Sequence, residues 1–281
     1  MKKLIVYGVM GLVSIILIVW LGLPILLTRF GLHPHYRTPE MHLEGRKALI
    51  VVTSHDKLGE SGKATGVFAS EMTAPYYAFL DSGMNVEIAS IQGGPVPIEP
   101  VSVRWPIASR PDRRFLRDSV FQSKVANSSK IGLVDMSAYD IVFLAGGWGA
   151  AYDFAQSDEL GDQISAAYAN GSVLGGVCHG PLGLLNARDT DGSALVAGRH
   201  LTAVTDKQIA ELGIQFTPKH PERDLRAAGA LFESESAFRD FFANHVVVDG
   251  TLVTGQNQNS GTETAVEMMK QLMASSNRED S

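Results

Sequence analysis

The chain carries one cysteine, Cys178, in the run G-G-V-C-H-G-P from Gly175 to Pro181. There an apolar, strand-like segment meets a glycine and then a helix-like segment. A thiol at such a bend has the free N–H groups of a first helical turn behind it, and these favour the thiolate. Gly176 and Gly180 suit a bend too sharp for side chains. Free cysteine is otherwise often a small buried hydrophobe. The neighbouring His179 points instead to nucleophilic chemistry, because an imidazole beside a thiol accepts or returns a proton near neutral pH.

A nucleophile that attacks a carbonyl leaves an oxyanion, which backbone N–H groups in a glycine turn at a strand end stabilise. The run A-G-G-W-G places Gly147 and Trp148 at such a turn. It lacks the third glycine of a dinucleotide-binding fingerprint, and no cofactor motif is found elsewhere. Glu71 lies in G-V-F-A-S-E-M-T-A-P-Y-Y, among small and apolar residues where a carboxylate is costly without water or a partner. Its place fits either a pocket or a solvated helix face. Beside a thiol it has two roles: protonated, it donates a hydrogen bond to the thiolate, and ionised, it acts as a base.

These groups need a scaffold, and the chain alternates strand and helix patterns. K-A-L-I-V-V from Lys47, N-V-E-I-A-S from Asn85, D-I-V-F-L-A from Asp140 and S-V-L-G-G-V before Cys178 read as short buried strands. Helical spacing runs over 66–80, 157–170 and 262–273, with a long Pro- and Gly-rich connection over 92–111 and a hairpin from His245. Such alternation predicts a mainly parallel sheet covered on both faces. Ligands bind beyond the carboxyl ends of such strands, so the loops after Thr53, at Gly146–Gly149 and at Cys178 should meet in space.

Ahead of this domain, Leu4 to Leu27 is a chargeless apolar stretch long enough for a hydrocarbon core of about 30 Å. It predicts an N-terminal transmembrane helix within residues 1–30, a juxtamembrane linker over 31–45 and one α/β domain over 46–281. Lys2 and Lys3 against Arg29 and Arg37 lean towards a globular part outside the cytoplasm. No metal site is expected of the linker histidines His33, His35 and His42. The net charge of −6 and pI near 5.7 argue against nucleic acid as a partner.

The motifs G-V-F-A-S-E, F-L-D-S-G, V-E-I-A-S-I-Q-G-G-P-V-P-I-E-P, A-G-G-W-G-A-A-Y-D-F, G-G-V-C-H-G-P and L-V-T-G-Q-N together resemble the ThiJ/PfpI superfamily. Within it they are most similar to the heat-shock and glyoxalase III branch, over Lys47 to Leu272. The resemblance implies a flavodoxin-like three-layer sandwich of the glutamine amidotransferase-like class, and a possible homodimer. It also implies a nucleophilic Cys178 with His179 beside it, a helix glutamate at Glu71 touching the cysteine, and an oxyanion turn at Gly147 and Trp148. Members of that branch convert methylglyoxal to lactate without glutathione, and some are described as deglycases or holding chaperones. Two departures stand out. Trp148 replaces a usual histidine, and Ile209 stands where an acid completes the triad, with Glu211 or Asp206 as nearby substitutes.

The expected function is therefore a membrane-anchored cysteine enzyme acting on small reactive carbonyls without a cofactor. Two alternatives stay open. G-V-C-H-G also fits the nucleophile bend of a glutamine amidotransferase-like amidase or hydrolase, with His220 and Glu222 downstream. The fold could equally serve a redox sensor or holding chaperone whose triad has decayed.

Overall fold

Short aliphatic runs form the centre of the protein, described here by a computed structural model over residues 2–279. The strands of the main sheet are β1 (Lys47–Val52), β2 (Asn85–Ser90), β3 (Ser129–Lys130), β4 (Ile141–Leu144), β5 (Val173–Val177), β6 (Val246–Asp249) and β7 (Leu252–Gly255). Their order is β6-β7-β5-β4-β1-β2-β3. Every neighbouring pair is parallel except the β6–β7 hairpin. Ile50 of β1 lies level with Ile88 on one side and Phe143 on the other.

The period-2 alternation of a strand sends successive side chains to opposite faces. Ala48, Ile50 and Val52 join one core with Met72, Phe79 and Met268, while Leu49 and Val51 join a second with Phe154, Leu160 and Leu182. Two cores on one sheet make three layers, as the mainly parallel pattern predicts. The principal helices are α1 (Lys2–Arg29), α2 (Ala69–Asp81), α3 (Arg110–Phe115), α4 (Asp158–Ala169), α5 (Asp206–Leu212) and α6 (Gly261–Glu279). Helices α2 and α6 cover the first face, and α4 covers the second.

The helix expected from Gly66 begins at Ala69 instead. Backbone hydrogen bonds from Val67 N–H to the Pro97 carbonyl (2.9 Å) and from Glu99 N–H to the Val67 carbonyl (2.9 Å) hold the intervening residues extended. Short α3 and α5 have too few turns to leave a periodic signal. Among the described residues α1 is the one helix long and apolar enough to cross a membrane, and it is unburied.

Residues 31–45 are not the free tether that their composition suggests. Leu32, Met41 and Leu43 are buried, and the last two belong to the α2–α6 core. Leu43 N–H donates to the Ser82 carbonyl at 2.8 Å, and the Tyr36 hydroxyl donates to Glu267 at 3.3 Å. The segment lies along the domain because its few apolar side chains are spaced to reach that core.

Candidate active site

Cys178 follows directly on β5, in a left-handed backbone conformation with φ of +60°. That conformation costs a non-glycine residue about 1–3 kcal/mol and persists only where the surroundings fix it. Here the neighbouring chain does so: Cys178 N–H donates to the Gly255 carbonyl (3.1 Å), and its own carbonyl accepts from Val204 N–H (3.0 Å). The bend leads into a five-residue 3-10 turn, Gly180–Leu184, rather than the α-helix expected from sequence. The dipole support for a thiolate is correspondingly small.

The sulfur faces a cavity of about 290 Å³. Glu71, in the first turn of α2, is fully buried there, so the solvated-face reading of this residue is excluded. Burial pushes its carboxyl up to about 8, against the opposing pull of the Cys178 thiol and the Gly146 N–H that it faces. Burial likewise raises the Cys178 thiol well above its ordinary value, and the Glu71 carboxylate raises it further. The N–H groups of Gly147 and His179 work the other way. The thiolate is thus not favoured by the bend alone, contrary to the sequence expectation, because a 6 % exposed sulfur has lost its water.

His179 places Nδ1 3.4 Å from the sulfur. Its ring is buried, and desolvation, with the nearby His220 adding to it, lowers the imidazole to about 3, so it is neutral. Nε2 is buried without a hydrogen-bond partner. Neither of the two nearby acids turns to His179: Glu211 accepts Asp240 N–H at 2.9 Å, and Asp206 lies 3.6 Å from His220. Ile209 is buried on α5. The imidazole packs instead against Trp148, with ring centroids 4.8 Å apart.

Gly147 and Trp148 both line the cavity, as the strand-end rule predicts. Gly147 has a φ of +105°, and a Cβ there would lie 2.4 Å from the Gly66 carbonyl oxygen and from Phe68 N. Only glycine lets this turn close on the sulfur. Sequence reasoning missed Glu99, Gln208 and Gln258, which supply the other polar groups. Gln208 donates to Gln258 (3.2 Å), which donates to the Phe241 carbonyl (2.7 Å). Glu99 accepts from the Thr65 hydroxyl at 2.7 Å. Glu99 lies in P-I-E-P, Gln208 in T-D-K-Q-I and Gln258 just after T-G-Q-N, but nothing in their spacing marks them as neighbours of Cys178.

His220 does not line the cavity; its ring sits 3.0 Å from the Gln215 carbonyl and turns to Asp206. With Glu222 accepting Asp206 N–H (3.0 Å), the H-P-E run caps helices. A larger cleft of about 490 Å³, lined by His33, Tyr36, Tyr77 and Arg110, does not include Cys178. Among the described residues no group of three or more His, Cys, Asp or Glu is placed to hold a metal.

The DJ-1/PfpI family matches residues 63–271. A glutathione-independent glyoxalase of Schizosaccharomyces pombe is 29% identical over 79% of this chain and 95% of its own length. Glyoxalase 3 of Candida albicans is 29% identical over 79% and 97%. The crystal structure of glyoxalase III from Candida albicans superposes with a TM-score of 0.73 at 28% identity, covering 80% of this chain and 97% of that one. The Francisella tularensis Rapid Encystment Protein 24 KDa superposes at 0.75 with 32% identity, covering 81% and 99%.

Proposed function

The chain belongs to the DJ-1/PfpI family, and on that premise we propose that it is a glyoxalase III-like enzyme, held to a membrane by α1, that uses Cys178 to convert a 2-oxoaldehyde into a 2-hydroxy acid without glutathione. One observation carries the reading: a buried carboxyl, raised to about 8, faces the only cysteine in a largely apolar cavity. The relatives named glutathione-independent glyoxalase and Glyoxalase 3 support it.

Glu71 and Cys178 titrate as a pair, so loss of one proton near pH 8 yields a thiolate beside a carboxylic acid in exchange with a thiol beside a carboxylate. The thiolate adds to the aldehyde carbon. The new C–S bond forms as the C=O electrons move to oxygen, which takes the proton from Glu71 next to the Gly147 N–H. Glu71, now ionised, removes the proton from C1 while the C2 carbonyl oxygen takes up the C1 hydroxyl proton, and Glu71 then returns its proton at C2 as the C1 carbonyl forms, leaving a 2-hydroxy thioester. Water attacks the thioester, the sulfur leaves, and the net change is addition of one water. Between the two proton carriers, a group near 8 is matched to neutral pH and one near 3 is not, which assigns the transfer to Glu71 rather than His179. His179 positions the sulfur.

In the amidase reading His220 would be the base, but it does not line the cavity and its ring lies against the Gln215 carbonyl and Asp206. The test is conversion of methylglyoxal to lactate by the full-length chain in detergent. Cys178→Ser should abolish turnover, and equal rates in the two proteins would overturn the reading.

A further inference from the structure

The mouth of the Cys178 cavity and the end of α1 share one face of the protein. Ile107 and Phe241 line the cavity. The Ile107 carbonyl lies 2.9 Å from His33 Nε2, and Phe242, next to Phe241, packs on Phe30 with centroids 6.2 Å apart. His33 N–H donates to Asn259 (2.8 Å), which follows the cavity residue Gln258. Further along, the Trp105 indole donates to the Trp20 carbonyl at 3.3 Å. Trp20 precedes Arg29 by about 13 Å of helix axis at 1.5 Å per residue. The loop holding Val101 and Trp105 therefore stands beside the apolar part of α1, not beyond its end.

The side chains at this mouth suit lipid. Val101 (50 % exposed) and Leu212 (41 %) line the cavity yet face outward, and Trp105 (48 %) stands beside them. An indole with an apolar body and a polar tip favours a membrane interface. The adjoining stretch 104–118 holds five exposed arginines, of which Arg114 pairs with Asp81, against Asp112 and Asp118, on a chain of net charge −6. Such a local excess is drawn to anionic headgroups.

We propose that the cavity opens onto the bilayer surface and takes a 2-oxoaldehyde carried on an alkyl chain, delivered from the membrane. The inference rests on the glyoxalase-like reading above, whose chemistry it leaves unchanged: water is consumed and a 2-hydroxy acid of the same chain length is formed. The alkyl chain passes between Val101 and Leu212 into the lipid.

The test uses the full-length protein in phosphatidylcholine vesicles, with and without phosphatidylglycerol, and compares kcat/KM for a twelve-carbon 2-oxoaldehyde and for methylglyoxal. The long-chain substrate should be preferred by about tenfold or more, and Trp105→Glu should reduce that ratio by about tenfold. Turnover of methylglyoxal without a long-chain preference overturns the inference and leaves the glyoxalase reading intact. Turnover of neither substrate overturns both. A Trp105→Glu protein that keeps the ratio overturns the membrane-facing mouth. If that variant instead sediments as a monomer while the wild type is a dimer, a second copy covers the rim and the proposal also fails.

Discussion

The Glu71 and Cys178 pair makes activity a function of pH with a calculable sign. kcat/KM should rise through an apparent pKa near 8 as the pair loses its first proton. Glu71→Gln loses the proton carrier and should lose turnover with it, while its thiol should titrate at its own raised value, measured from the pH dependence of Cys178 alkylation by iodoacetamide. Stability carries the opposite trend. A carboxyl held at about 8 in the fold, against 4.5 in the open chain, stabilises fully below pH 4.5, and the effect is lost as pH rises through 8. His179, at about 3 against 6.5, acts in reverse and is nearly complete above pH 7, where Asp153, raised by burial to about 6, is also almost fully ionised. Between pH 7 and 8 urea unfolding should therefore show stability falling by about 1 kcal/mol, and Glu71→Gln should be nearly flat. The residue types and local motifs made Cys178, His179, Glu71, Gly147 and Trp148 legible in the chain. Glu99, Gln208 and Gln258 were not, because each comes from a different segment and a lone amide or carboxylate carries no spacing signal.

At the scale of elements, the site depends on turns whose glycines leave room for other groups. A Cβ on Gly146 would lie 2.5 Å from Glu71 Oε2 and 2.6 Å from both His179 N and the Val177 carbonyl oxygen. Two of those atoms are backbone, so the strain cannot be relieved by a rotamer. Gly146→Ala should displace the Glu71 carboxyl, cut kcat/KM by about a hundredfold and lower stability by about 1–3 kcal/mol, read from steady-state rates and urea midpoints. The parallel strands were legible because a strand buried on both faces is a plain apolar run. The nucleophile bend was legible as a position but not as a field: five residues of 3-10 turn follow Cys178, where the sequence suggested a helix. Helix α5 was also hard to read, at seven residues, although it brings Gln208 to the cavity and buries Ile209 in the core beside it.

For the whole molecule, the segment between α1 and β1 is part of the folded domain. A chain beginning at residue 46 loses Leu32, Met41 and Leu43 from buried positions. At about 1.5–3 kcal/mol for each fully buried side chain, it should be less stable by several kcal/mol than one beginning at residue 30, and should melt at least about 10 °C lower in calorimetry. Composition hid this docking, since prolines and histidines over 33–42 read as solvated chain and the anchoring side chains are few and scattered. Because Leu32 is already seated in the protein, only Phe30 and Gly31 separate the end of α1 from the domain. A two-residue gap spans about 7 Å at full extension. Under the proposed anchoring by α1, a catalyst on so short a leash would patrol a thin layer next to the membrane, and its encounters would be set by what gathers there rather than by what is dissolved in the bulk.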